Sequence, residues 1–142
     1  MASVVDELNE LLSSERGEVE AVDVLIKQLA ETDADIAESA ADALRTASWS
    51  CSGLYHRINQ LHGSTTLDST NLAEELSARP DAKSKLEFLC AAQERDKART
   101  ESILRRKDLD NTTRSFLIDL TRAHEETLGW CETVLDEWEV GR

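Results

Sequence analysis

Apolar residues recur along this chain at alternating steps of three and four, the spacing of one face of an α-helix. The first stripe is Val4, Leu8, Leu11, Glu15, Glu18, Val22, Leu25 and Leu29, apolar at both ends and acidic in the middle. Ser3 stands in an N-cap position, and Thr32-Asp33 falls where the chain must leave one helix and cap the next. The second stripe is Ile36, Ala40, Leu44, Ala47, Cys51, Leu54, Ile58 and Leu61, followed by Gly63 in a C-cap position. So short a link between the two stripes predicts an antiparallel helical hairpin.

Residues 62–80 differ in kind. Gly-Ser-Thr-Thr and Asp-Ser-Thr are loop chemistry, and Leu72 with Leu76 marks a short amphipathic helix over about 71–78, which Pro80 stops. Asp81 caps a third long helix carrying Leu86, Leu89, Gln93, Asp96 or Lys97, Thr100 and Leu104. Asp110 or Asn111 caps a fourth, with Leu117, Leu120, His124, Thr127, Cys131, Val134 and Trp138 on one stripe. The long helices are expected over about 4–31, 34–62, 82–107 and 111–139. Each is roughly 38 Å long at 1.5 Å per residue. Matched lengths predict a single all-α domain over 1–142, an antiparallel four-helix bundle. The middle connection is long enough to run the bundle's full length, so a crossover between the second and third long helices is favoured.

Composition narrows the partners. The chain has 142 residues, 29 acidic against 16 basic, for a net charge of -13. Such a surface repels phosphate, which argues against nucleic acid and anionic membranes. One proline and 4% aromatic residues argue against a β-sandwich or barrel. No apolar run has the length of a membrane span and no signal peptide opens the chain, so a cytoplasmic location is expected. Cys51, Cys90 and Cys131 are too widely spaced for a zinc knuckle or a redox motif and read as reduced apolar fillers.

The apolar stripes fail at one height. The first helix breaks at Glu15 and Glu18, the third at Gln93 with Glu94 beside it and Asp96 one turn on, the fourth at His124 and Thr127. An unpaired buried carboxylate costs several kcal/mol unless it is protonated, paired or metal-bound, so a polar layer at the bundle's midpoint needs a shared explanation. Gly17, Gly53 and Gly129 also fall inside helices, each at about 1 kcal/mol against Ala, a cost that close helix approach or simple exposure could account for. The segments Leu8-Asn9, Leu11-Leu12 and Glu15-Arg16, then LEFLCAAQ from Leu86 to Gln93, then His124-Glu125 with Cys131 and Leu135, resemble a little-characterised bacterial ferritin-like family. That resemblance implies a ferritin-like bundle with a crossover and says little about activity.

The ferritin-like metal pattern puts a Glu on the first and third helices and Glu-x-x-His on the second and fourth. Glu15 fits the first position, with Glu18 as an alternative; Glu94 fits the third, and His124 fits the histidine of the fourth. Thr121 stands where that histidine's Glu belongs, and Gly53 precedes His56 at the same spacing on the second helix. A full di-metal centre is therefore disfavoured. Three readings of the layer follow. Glu15, Glu18, Glu94 and His124 hold one Fe, Mn or Zn ion; or Glu15 pairs with protonated His124 while Gln93 completes a hydrogen-bonded network; or the face is rotated by one residue and Val19 replaces Glu18. No nucleophile constellation or phosphate loop is present. The favoured function is a non-catalytic or weakly metal-binding module, homodimeric or partner-binding through residues such as Trp49 or Trp130. The alternative is a metalloprotein with oxidoreductase-type or metal-handling activity at Glu15, Glu94 and His124. Arg105-Arg106-Lys107 reads as a cationic helix end.

Overall fold

The computed structural model describes residues 2–141, with side chains through Trp138. Five helices follow in order: α1 (Val4–Leu29), α2 (Ala34–Gln60), the short α3 (Leu72–Ser77), α4 (Ala82–Leu104) and α5 (Asn111–Gly141). They pack as an all-helical bundle, and no strand occurs among the described residues. Local chemistry sets the starts. Ser3 and Asp6 form a capping box on α1, Asp81 and Ser84 form one on α4, and Asp110 accepts from the Thr113 N–H at the head of α5.

The end of α2 differs from expectation. The left-handed residue is His62, at φ 62°, while Gly63 bonds back to the Ile58 carbonyl at 2.9 Å. That is the Schellman pattern with histidine at the left-handed position. Gly63 is needed for space, because a Cβ there would come within 2.6 Å of Val5. The buried face of α2 is also turned from the expected stripe. Ala37, Ala43, Ser50 and Arg57 are buried, whereas Leu44, Cys51 and Leu61 are only partly so.

The chain after α2 runs along α1. Asn9 holds both Ser64 and Thr66, the Ser13 carbonyl accepts from the Thr70 N–H at 3.2 Å, and Ser77 lies by Gln28. The strap thus spans from near the start of α1 to near its end, and α4 then descends antiparallel to α1. Gly17 makes room for it. A Cβ on Gly17 would collide with the Thr70 hydroxyl and come within 3.1 Å of the Thr70 carbonyl. Gly53 admits the Phe116 ring in the same way, while nothing lies within 4 Å of the site a Gly129 Cβ would occupy.

In cross-section α1 and α5 each touch α2 and α4, and they face each other diagonally without close backbone approach. Two apolar clusters fill the ends. One contains Leu25, Leu29, Ile36, Leu76, Leu86 and Leu89, the other Leu8, Leu11, Leu54, Ile58, Leu117 and Leu120. Trp138, expected in the core, packs only partly buried against the first. The basic run after α4 is not a free cationic end. Arg106 contacts Glu7 at 3.1 Å and Asp108 at 2.8 Å and donates to the Ala2 carbonyl, tying the chain's start to the α4–α5 turn.

Candidate metal centre

Between the two apolar clusters lies a layer of buried polar residues: Ser14, Glu15 and Glu18 from α1, Gln93 and Asp96 from α4, and His124 and Thr127 from α5. Helix α2 contributes Ala47, Ser50 and the half-buried Cys51 thiol beside Glu15 at this level, and no carboxylate or imidazole. Glu15 is 1% exposed, Glu18 0% and His124 3%, so each has exchanged water for whatever the layer supplies.

Gln93 organises the layer. Its Nε2 donates to Oε2 of Glu18 at 2.9 Å, and its Oε1 lies 2.9 Å from Nδ1 of His124. An amide oxygen only accepts, so Nδ1 carries the proton and neutral His124 presents a bare lone pair at Nε2. That lone pair points across the bundle diagonal. Nε2 stands 2.9 Å from Oε1 of Glu15. Protonated at Nε2, His124 would form an ion pair with Glu15 there, but the ring and the carboxylate are not aligned for a good hydrogen bond. Nε2 of His124, Oε1 of Glu15 and Oε1 of Glu18 all lack an aligned partner. One ligand atom from each of the three residues lies within 4.8 Å of the other two.

Charge crowding is met in part by protons. Burial raises Glu18 well above the usual carboxylate range, and the neighbouring Glu15 and Asp96 carboxylates push it the same way. Burial acts to lower His124, but Glu15 and Asp96 outweigh it and the net shift is upward. Asp96, 1% exposed, is held by Ser14 Oγ at 2.8 Å from both its oxygens and by Arg99 at 3.5 Å from Oδ1.

Comparison with protein-family models, with curated proteins and with solved structures yields no match to this chain.

Of the residues expected from the sequence, Glu15, Glu18, Gln93, His124 and Thr127 are buried in the layer, and Val19 does not displace Glu18. Glu94 is the exception. It is exposed and groups with Cys90 and Glu132 on the outside of α4 and α5, because the next inward position after Gln93 is three residues on, at Asp96. Ser14 is the partner that sequence reasoning missed. Its position, four residues before Glu18, is the signal that could have placed it on the inward face. The three cysteines are free thiols, Cys131 in the core and the others half-buried.

Proposed function

We propose that this protein binds one divalent transition-metal ion, Fe, Mn or Zn, at Glu15, Glu18 and His124 in the middle of a ferritin-like bundle. The observation that carries the reading is the convergence of three buried ligand atoms without aligned partners. A lone pair and a carboxylate oxygen 2.9 Å apart repel unless a proton or a cation stands between them. Two ligands at ~2.1 Å from one ion and at right angles stand ~3.0 Å apart, so the observed spacing suits a shared ion. Two carboxylates and a neutral imidazole balance a +2 charge, and the donor set of oxygens with one nitrogen suits these metals. Gln93 then acts as the outer partner that fixes the His124 tautomer.

The strap along α1 and the antiparallel pairing of α1 with α4 support the ferritin-like arrangement. The lack of a carboxylate or histidine on α2 at this level and Thr121 in place of a carboxylate argue for a single ion, in a metal-handling or structural role, over a di-metal centre activating oxygen. An interaction role is also favoured by one observation. Trp49, 45% exposed, lies against Phe116 in a groove between α2 and α5 that also holds Arg45 and Arg122.

The test is the metal content of protein purified without an affinity tag or chelator. Stoichiometric Fe, Mn or Zn is expected, lost in Glu15→Ala and His124→Ala. In chelated protein, added ion at about 100 times its Kd should stabilise the fold by about 2.7 kcal/mol. That is a rise in Tm of roughly 10 °C for a chain of this size. Metal-free protein with an unmoved Tm would leave the layer as a structural hydrogen-bond network.

A further inference from the structure

The apolar clusters seal the polar layer above and below, but on the side of Asp96 it approaches solvent. The Asp96 carboxylate lies against Glu18 on its inner side. On its outer side Oδ1 is 3.5 Å from Nη1 of Arg99, a side chain that is 52% exposed. Arg99 in turn walls a groove of about 630 Å³ between the start of α1, the chain following α2, and α4. Asp6, Glu10 and Asp68 line it, together with Ser13 and Thr70. Ser14, the neighbour of Ser13, is the residue that holds Asp96 from within. Acidic groups therefore lead from the groove to the buried ligands, interrupted by one guanidinium.

We propose that this groove is the access path of the metal ion, with Asp96 as the relay carboxylate at its inner end and Arg99 as the gate. The inference rests on Glu15, Glu18 and His124 being a metal site. Carboxylates lining a groove concentrate cations there and speed their arrival. Arg99 opposes the last step twice: its positive charge repels the ion, and its contact neutralises the carboxylate that would receive it. The contact is long, at 3.5 Å, and its guanidinium is half exposed, so Arg99 can leave it for solvent while Ser14 still holds the buried Asp96 carboxylate. Arg99 can therefore swing into the groove without disturbing α4, exposing Asp96 to the incoming ion. Asp96 passes the ion to Glu18 and regains Arg99.

The test follows Co²⁺ association with chelated full-length protein by stopped-flow absorption at low salt. Arg99→Gln keeps a polar side chain but removes the charge, and it should speed association roughly tenfold. Arg99→Lys should stay near the parent rate. Arg122→Gln removes the same charge from a side chain of α5 outside the groove and should also leave the rate near the parent's. Asp96→Asn should slow association several-fold, with far-UV dichroism confirming that helicity is kept. Equal rates in the parent and Arg99→Gln would overturn the gate, as would an equal acceleration in Arg122→Gln, which would make the effect one of net charge. Failure of the site itself looks different: the parent protein would then show no Co²⁺ spectrum at equilibrium, and the gate would fall with it.

Discussion

Glu18 and His124 hold their protons more tightly in the folded chain than in the unfolded one. Each group contributes stability that is fully present below its ordinary value, 4.5 for Glu18 and 6.5 for His124, and lost as pH rises through the raised folded value. The chelated protein should therefore lose stability between pH 5 and pH 8, measured as a falling Tm. Glu18→Gln, an isostere of the protonated acid, should flatten that fall and abolish metal binding. A chelated protein whose stability rises across this window would contradict the protonated Glu18. Gln93 offers a separate check. Gln93→Leu leaves the three ligands in place but frees the His124 ring and the Glu18 carboxylate, and should weaken metal binding by about 10–100-fold in a competition titration.

At the scale of elements, the strap along α1 depends on a residue without a side chain. Thr70 is fixed by its backbone hydrogen bond to Ser13, so its carbonyl cannot yield easily to a Cβ at position 17. Gly17→Ala should destabilise the protein by about 1–3 kcal/mol through overpacking. Gly129→Ala meets open space and should stabilise it by about 1 kcal/mol through helix propensity alone. Urea denaturation of the pair checks both, and a Gly17→Ala variant at least as stable as the parent would show that the strap does not press on α1. The helices themselves were legible because each carries its own periodicity and most carry their own caps, as at Ser3, Asp81 and Asp110. Rotation about a helix axis was less legible. On α2 the small residues Ala37, Ala43 and Ser50 are as compatible with an inward face as Leu44 and Cys51, and only the neighbouring helices choose between them.

In the whole molecule, the polar layer divides the interior into two apolar halves and places Glu15 opposite His124 across a diagonal where the backbones stay apart. A side-chain link along that diagonal ties together two helices whose backbones make no close approach. This is why an ion bound there is expected to raise the stability of the fold as a unit. The net charge of -13 belongs mostly to the exposed surface. The few carboxylates that matter chemically are set apart by burial, where solvent no longer screens them.

The sequence by itself determined the helices, their order and the height at which polar residues interrupt them, because periodicity and capping act over a few residues. It also singled out Glu15, Glu18 and His124, since each occupies a position where its own helix would otherwise be apolar. Tertiary structure decided what no stripe contains. It turned Glu94 outward and Asp96 inward, brought Ser14 to Asp96, and set the Gln93 amide between Glu18 and His124. It also left three ligand atoms facing one another without aligned partners. The physical reason is one of range: helix formation is settled by neighbours three and four residues apart, whereas the pairing of buried polar atoms depends on how three helices far apart in sequence are rotated against one another.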